Sequence, residues 1–352
     1  MQLEFNLNLF VIFSLISFIV SFLIVKNSNF FFSGSLLDKD FTKPQSFHSK
    51  PTARIGGLII LSLFFLFIFF YFSVLNIFLK DYFTIILLLF FLGFLDDLKI
   101  KINPNNRLFL MLITLIFCIN IFSIQINKSG LDFLNQWLEN NMFQTCFVLL
   151  CFLFVINGSN LIDGFNGLLA IHFLLITFIL LVINFINQNE NMTIILISQM
   201  IIVFIFLIFN FPNAKIFLGD SGSYLLGSLI VLNVIKTHQL NFEISPFFYA
   251  SILFYLFYEV FFSFTRKAIK KKSPLYPDKK HLHMLVYKFL LNSTRFKNPN
   301  YTTSFLINIV YLVLIIPTIY FQQDGIIIRY WFFSQLLLYT LIYYFLSNSK
   351  IK

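Results

Sequence analysis

Charged residues are scarce in this chain of 352 residues: they make up 11% of it, whereas hydrophobic residues make up 59% and the mean hydropathy is +0.85. A soluble core cannot absorb that much apolar surface. This composition therefore excludes an ordinary soluble globular protein and predicts a chain that crosses a membrane many times. The net charge of +10 lies in loops between apolar runs, so it indicates membrane orientation rather than nucleic-acid binding.

Cysteine is also rare, and the chain shows no internal repeat. Cys118, Cys146 and Cys151 all lie inside apolar runs, at spacings that match no metal or redox motif, so we expect them to be packing residues. The first apolar run has neither a basic leader nor a small-residue cleavage site. We therefore expect it to stay as a membrane helix.

Apolar runs of spanning length predict an all-α bundle of eleven transmembrane helices that forms a single domain over residues 1–352. The runs lie at about residues 7–25, 56–79, 82–98, 107–126, 143–161, 165–186, 193–211, 221–236, 246–265, 302–321 and 326–346. If the loop after the first run is cytoplasmic, 21 Lys and Arg lie inside and only Lys80, Lys128, Lys236 and Arg329 lie outside. The positive-inside rule then places the N-terminus outside and the C-terminus in the cytoplasm.

This topology puts most of the aspartates on the cytoplasmic side, several of them at helix ends. Residues 93–101 read GFLDDLKIK, so a long uncharged run ends abruptly in Asp96 and Asp97. A carboxylate near hydrocarbon is costly, so these acids should be paired, metal-bound or facing a wet cleft. The alternative is that they merely cap the end of a membrane helix beside Lys99 and Lys101.

Catalytic loops are predicted at about 26–55, 96–107, 157–167, 210–223 and 266–300. In the first of them Lys50 and Arg54 can meet phosphate, and Gly56 and Gly57 allow a backbone to approach a ligand closely. Anchoring of the membrane topology explains the same cations equally simply.

Residues 157–167 read NGSNLIDGFNG. Asn157, Asn160, Asp163 and Asn166 recur every third residue, which makes successive members neighbours on a helix. Four polar side chains in one place favour a ligand site over an Asx-rich turn, which needs only one or two of them.

Residues 210–223 read NFPNAKIFLGDSGS. Asp220 can be a plain helix N-cap. A Gly- and Ser-rich helix start also offers free N–H groups to an anion, and an adjacent acid can hold Mg²⁺ against that anion.

The segment 277–283 reads PDKKHLH. His281 and His283 face one side only if the backbone there is extended, and nearby lysines favour phosphate binding over a zinc site. His172 and Glu259 each stand alone in an apolar run, so we expect them to be satisfied inside the bundle.

Five blocks in this order resemble the polyprenyl-phosphate N-acetylhexosamine-1-phosphate transferases of glycosyltransferase family 4. They are 51–57 (PTARIGG), 96–97 (DD), 157–167, 217–223 (FLGDSGS) and 277–283. The resemblance implies transfer of a HexNAc-type sugar 1-phosphate from a UDP-sugar to undecaprenyl phosphate, with release of UMP. It also implies Mg²⁺ (or Mn²⁺) as cofactor, the cytoplasmic face of a bacterial inner membrane, and a start point for O-antigen-like polysaccharides. No nucleic-acid partner is expected, and a homodimer is compatible with the family.

Carried over by position, the resemblance implies metal binding by Asn160 and Asp220, a uracil site near Phe217 and Asn166, and a phosphate and sugar loop at His281 and His283. Asp96 and Asp97 match the pair that activates the lipid phosphate. We further expect Asp163 to be catalytic and Lys50, Lys99, Asn157 and Asn210 to bind substrate.

Two departures bear on substrate and activity. Asn166 stands where many bacterial members have an aspartate, and Met284 replaces a third histidine. The run His-Leu-His argues for the GlcNAc-type members over the MurNAc-pentapeptide translocase. A transporter or ion-pathway protein and an inactive family member remain as alternatives, and an aspartyl-phosphate route remains beside direct attack.

Overall fold

The computed structural model describes residues 2–28, 34–38, 51–100, 102–271, 273, 278, 280–292 and 298–348, with side chains from residue 7 onward. The helices are α1 (Gln2–Lys26), α2 (Gly56–Leu75), α3 (Lys80–Asp97), α4 (Pro104–Ile121), α5 (Asp132–Leu138), α6 (Asn141–Ile162), α7 (Leu168–Ile186), α8 (Glu190–Asn210), α9 (Gly219–Leu240), α10 (Pro246–Ile252), α11 (Phe254–Ile269), α12 (Leu282–Leu291), α13 (Pro299–Tyr320) and α14 (Gly325–Asn348). Two short strands, β1 (Leu37–Asp38) and β2 (Thr52–Ala53), pair antiparallel. The predicted helical membrane bundle is confirmed.

All eleven predicted apolar runs lie on helices, but fewer helices qualify as spans by length and composition. Within the described residues, eight helices qualify, or nine if α10 and α11, which meet at a 70° bend, count as one. The two that fall short are α3, which carries charges at both ends, and α9, which is rich in glycine, serine and other polar residues. The prediction of eleven spans therefore counts two helices that are long enough to cross a membrane but carry more charged or polar residues than the other spans.

The polar helix α9 lies at the centre of the bundle. Of its residues, only Asp220, Lys236, Gln239 and Leu240 are not buried. Outer helices show the opposite pattern, with large apolar side chains such as Leu7, Phe69 and Phe345 about two-thirds exposed. Polar residues at the centre and apolar residues at the periphery are typical of a protein surrounded by lipid.

Antiparallel packing joins α3 to α9 along their whole length. At one end, Lys236 pairs with Asp81 at 2.5 Å. Close to this pair, the hydroxyl of Tyr82 donates to Asn233 Oδ1 at 2.8 Å, and Asn233 in turn donates to Gln199 of α8 at 2.6 Å. Because buried polar groups need partners, this network explains how α9 carries an asparagine in its buried interior.

The opposite end of the bundle gathers the predicted catalytic loops, some of which are helical. Asn157 and Asn160 lie on α6, which ends at Ile162, and the predicted loop 266–300 contains all of α12. The first predicted loop (about residues 26–55, here called loop one) is bonded to the start of α9. The N–H of Phe217 donates to Ala53 O at 2.8 Å, and the N–H of Gly56 donates to Phe217 O at 2.9 Å. Segments far apart in sequence therefore meet around the N-terminus of α9.

Candidate active site

Asp97 holds the N-terminus of α9. Its carboxylate accepts the backbone N–H groups of Asp220 and Ser221, at 3.0 and 2.9 Å, and the hydroxyl of Ser221, at 2.6 Å. The first N–H groups of a helix have no partner within the helix and attract negative charge. Asp97 is only 1% exposed, so these donors compensate the cost of burying its carboxylate.

Two glycines make this close contact possible. A Cβ at Gly93 would lie 2.5 Å from both the carbonyl oxygen of Asp220 and the backbone nitrogen of Ser221. Gly219 has φ +79°, in the left-handed region, and a Cβ there would lie 2.6 Å from Asp97 Oδ2. Any larger residue at either position would separate α3 from α9.

Arg107, in the first turn of α4, joins two acids from different helices. Its Nη1 forms an ion pair with Asp96 and lies 3.6 Å from Asp220 Oδ2. The guanidinium carbon lies 6.0 Å from the ring centre of Tyr224, within the range of a cation–π contact. Arg107 is thus a counter-ion shared by Asp96 and Asp220.

A second arginine, Arg54, pairs with the acids Asp38 and Asp97 near the start of α9. Arg54 donates from Nε and Nη2 to Asp38 Oδ2, at 3.1 and 2.6 Å, and its Nη1 lies 3.9 Å from Asp97 Oδ1. Because Asp38 and Arg54 flank the strand pair of loop one, their ion pair fixes the end of that loop beside the acids.

One part of this acid cluster has room for a cation in chemical terms. It consists of Asn160, Asp163 and Asp220. Asn160 Nδ2 donates to Asp220 Oδ1 at 3.1 Å and to Ser223 Oγ at 3.0 Å. Asp163 caps the end of α6, one turn beyond Asn160, and its carboxylate makes no hydrogen bond or ion pair with any other described residue. Burial raises the pKa of Asp163 well above its ordinary value, and the nearby charge of Asp220 raises it further.

A divalent cation would satisfy these groups. In the described parts of the chain, no three His, Cys, Asp or Glu side chains form a complete metal-binding set. Mg²⁺ is usually held by one or two carboxylates together with substrate phosphates, so a complete protein cage is not required. With its amide turned, Asn160 would present an oxygen beside Asp220, and Asp163 would gain a partner. The residues therefore fit Mg²⁺.

The two predicted histidines lie side by side at the edge of this region. His281 has an extended backbone and His283 lies in the first turn of α12, so their rings stack in parallel with centres 5.5 Å apart. A Cβ at Gly164 would lie 3.5 Å from His283 Nε2, which places His283 next to the turn that carries Asp163. Burial lowers the pKa of His283 to about 3, so its ring is neutral at physiological pH.

Comparisons with known proteins identify the family of this chain. Over 265 residues the chain is 29% identical to an undecaprenyl-phosphate alpha-N-acetylglucosaminyl 1-phosphate transferase of Thermotoga maritima, a match that covers 72% of this chain and 77% of the relative. A family model described as glycosyl transferase family 4 matches residues 79–238. Over 287 residues the chain is 31% identical to the phospho-N-acetylmuramoyl-pentapeptide-transferase of Dictyoglomus turgidum, covering 77% of this chain and 89% of the relative. The chain belongs to glycosyl transferase family 4.

The family match begins just before α3 and ends near the end of α9. In this family 4 protein the matched stretch supplies Asp96, Asp97, Asn160, Asp163 and Asp220. Loop one and the segment 277–283, here called the histidine segment, lie outside the matched stretch. They contribute Arg54 and His283 next to these residues.

Three predicted substrate-binding residues of the transferase join one loop to another. Asn210 accepts the N–H of Gly167 at 2.6 Å and donates to Ile216 O at 2.9 Å. Asn166 donates from Nδ2 to Pro212 O at 2.9 Å, and the backbone of Phe217 pairs with loop one. These contacts fix the loops beside the acids, and the predicted roles of these residues in substrate binding stay predictions.

Other predicted residues lie at the rim or away from the acids. Lys99 is exposed, and its Nζ donates to Leu37 O at 3.1 Å, within loop one. Asn157 donates to Leu153 O in its own helix at 2.7 Å and lies 4.0 Å from Met111 Sδ on α4. Lys50 lies outside the described residues.

Sequence reasoning missed the ion-pair partners of the site. The sequence counts Arg107 only for membrane orientation, offers Arg54 as a cation for phosphate or for topology, and gives Asp38 no role at the site. One signal was available for Arg107: it lies a few residues beyond Asp96, at the start of the next helix, where a cation can reach back to the acids. Conversely, Glu259 and His172 are bonded inside the bundle as predicted, Glu259 to His281 and Tyr339 and His172 to Asn308.

Proposed function

We propose that this family 4 protein transfers a sugar 1-phosphate from a UDP-sugar to undecaprenyl phosphate and releases UMP. The observation that carries the proposal is the cluster at one end of the bundle. Asp96, Asp97 and Asp220 from two helices meet there beside Arg54 and Arg107, at the N-terminus of α9. The names of the two relatives, which specify transferases of phosphorylated sugars, support the same reaction class.

The reaction needs neutralisation of charge before any bond changes. Both the acceptor phosphate and the donor pyrophosphate are anions, so they repel each other in an unoccupied cleft. Arg54 and Arg107 each have N–H groups near the acids, and these groups can turn to phosphate oxygens. Mg²⁺, or Mn²⁺ in its place, held by Asp220, Asn160 and Asp163, would supply further positive charge against the pyrophosphate. Positioning and charge stabilisation account for most of the catalysis of such transfers.

In the proposed step, an oxygen of the lipid phosphate attacks the phosphorus that bears the sugar. A new P–O bond forms, the P–O bond to the second phosphate breaks, and the electron pair leaves with UMP. Asp96 is better placed than Asp97 to hold the lipid phosphate or take its proton, because among the described residues its carboxylate is bonded only to the movable side chain of Arg107. Asp97 is bound to the backbone of α9. If Asp96 acted as a nucleophile, a covalent aspartyl-phosphate would form instead.

We place this site on the cytoplasmic face of a bacterial inner membrane, since the positive-inside rule puts these loops inside. Among sugars we favour GlcNAc, because the His-Leu-His run differs from the three consecutive histidines of the MurNAc-pentapeptide enzyme. The product would start a lipid-linked surface polysaccharide of the O-antigen kind.

Purified protein tests this proposal directly. Undecaprenyl phosphate, Mg²⁺ and a panel of UDP-sugars headed by UDP-GlcNAc are added, and UMP and the lipid product are measured. We expect UMP release that requires the lipid, is abolished by EDTA, and falls at least about 100-fold in Asp220→Asn.

Asp81→Asn is the matched control, because Asp81 lies on the opposite end of α3 and pairs with Lys236. It should keep wild-type turnover. Solute counterflow in liposomes without UMP release from any UDP-sugar would instead identify a transporter. Absence of both activities would indicate an inactive family member.

A further inference from the structure

Glu259 of α11 is buried beside the histidine segment and both of its carboxylate oxygens are bonded. Oε1 lies 2.8 Å from His281 Nδ1 and also accepts the N–H of Leu282 at 3.3 Å. The side chains of Glu259 and His281 are each only 1% exposed. An ionised carboxylate can only accept, so it requires the proton of His281 on Nδ1 and leaves Nε2 as the nitrogen available to another group.

The other oxygen of Glu259 is held by the last helix. Tyr339 of α14 donates its hydroxyl to Glu259 Oε2 at 2.7 Å. Tyr339 is 3% exposed, and its ring packs edge-on against Tyr258 and Phe262 of α11 at 5.0 and 5.5 Å. A buried aromatic ring fixed on two sides gives its hydroxyl one position, and that position sets the angle of the Glu259 carboxylate.

One turn beyond Tyr339, α14 is also linked to the start of the histidine segment, through Arg266 of α11. Arg266 donates from Nη1 to the hydroxyl of Tyr343 at 2.6 Å and to Lys280 O at 2.9 Å. Its Nη2 donates to Asp278 Oδ2 at 2.6 Å. The residues directly before His281 are therefore tied to α11 and α14 by one guanidinium.

These contacts form a chain that reaches the acid cluster. It runs from Tyr339 to Glu259, from Glu259 to His281, and through the ring stack to His283. His283 faces Gly164, the residue after Asp163. A rotation of the His281 ring would therefore shift His283 and change its packing against the turn that carries Asp163.

We propose that Tyr339 is a positioning residue for the transfer reaction: its hydroxyl orients Glu259, and Glu259 fixes the tautomer and the angle of His281 on the donor side of the site. The inference rests on the proposed function and adds to it the last helix, which lies outside the segment matched by the family model. Groups that orient a metal-bound histidine through its second nitrogen typically change metal affinity or activity 10- to 100-fold when they are mutated, and we expect an effect at the lower end of that range for His281.

Tyr339→Phe removes the hydroxyl and keeps the ring. Tyr258→Phe is the matched control, because among the described residues the hydroxyl of Tyr258 bonds only Thr340 Oγ1, at 2.9 Å, and bonds neither Glu259 nor His281. Both variants lose one hydroxyl between α11 and α14, so a loss of helix packing alone affects them equally. The full-length protein in detergent is used for both.

Two readouts are measured on each variant. The first is steady-state UMP release with the UDP-sugar and the lipid phosphate varied in turn. We expect kcat/KM for the UDP-sugar to fall about tenfold in Tyr339→Phe with the KM for the lipid unchanged, and Tyr258→Phe to match the wild type. The second is the rate at which diethyl pyrocarbonate modifies His281, mapped by mass spectrometry, which should rise several-fold only in Tyr339→Phe.

Equal behaviour of the two variants in both readouts overturns the proposal, and so does faster modification of His281 without any change in kinetics. If the wild type releases no UMP, the proposed function fails. The modification rates then decide separately whether Tyr339 holds His281.

Discussion

The carboxylate of Asp97 accepts both the backbone N–H and the hydroxyl of Ser221, at 2.9 and 2.6 Å, across 124 residues of sequence. Its side chain is fully buried, whereas that of its neighbour Asp96 is 16% exposed and is paired with Arg107. Two adjacent acids at one helix end therefore have different tasks. Asp97 caps α9, and Asp96 is the more accessible of the two, as its proposed contact with the lipid phosphate requires.

Substitution of each acid separates these tasks. In Asp97→Asn an amide NH₂ would face backbone donors, so we expect the free energy of unfolding to fall by about 1–3 kcal/mol together with loss of activity. In Asp96→Asn we expect unchanged thermal stability and a loss of turnover of about 100-fold or more. Thermal unfolding in detergent and UMP release measure the two effects. An equal loss of stability in both variants would contradict the assignment.

Arg107→Ala should raise the affinity for Mg²⁺ and lower turnover. Removal of a cation shared by Asp96 and Asp220 leaves more negative charge at the site, so Mg²⁺ should bind several-fold more tightly. Turnover should fall about 100-fold, because the anionic substrates lose a partner. Thermal stabilisation by titrated Mg²⁺ reports affinity without any reaction. Lys236→Ala, at the far end of α9, should change neither quantity, and weaker Mg²⁺ binding in Arg107→Ala would refute the counter-ion role.

Asn166→Asp should not increase activity. The amide of Asn166 donates to Pro212 O at 2.9 Å, and a carboxylate there would face a carbonyl with no proton to donate. We expect a loss of stability of about 0.5–1.5 kcal/mol, larger than that in Asn166→Ala, which removes the same bond without adding charge. Thermal unfolding and UMP release are compared for the two variants. A gain in turnover only in Asn166→Asp would support the idea that the natural protein is inactive.

Gly93→Ala should separate α3 from α9. The added methyl would lie 2.5 Å from backbone atoms of Asp220 and Ser221, which cannot move without breaking the cap by Asp97. Overpacking of this kind costs about 1–3 kcal/mol, and we expect turnover to be lost with it. Gly325→Ala is the control, since the nearest atom to its Cβ would be Ser245 Oγ at 3.6 Å. Thermal unfolding of the two variants checks the difference.

Apolar runs were enough to locate the membrane helices, because lipid imposes length and hydrophobicity on each segment separately. The same reasoning could not place α9 at the centre, since its burial depends on partners such as Gln199 and Tyr82 on other helices. The break between α10 and α11 at Leu253 was invisible for a different reason: the residues around it, 247–258, contain no charge, glycine or proline.

For the candidate site, the spacing of acids and asparagines indicated which residues meet, and the structure brings Asp96, Asp97, Asn160 and Asp220 together. The sequence could not distinguish the two acids of residues 96–97, because their difference arises from which one faces Ser221. Nor could it connect Tyr339 to Glu259, since a single residue on a separate helix carries no local pattern.

Asp97 and Ser221, which pair in the folded protein, are synthesised at different times. Translation adds about 5–20 residues per second, so the ribosome needs roughly 6–25 s to make the 124 residues that separate the two partners. Throughout that interval α3 is in the nascent chain while the helix that Asp97 caps has not yet been made. A ribosome that stalls between them would leave this carboxylate at the membrane without the N–H groups that it accepts in the folded protein.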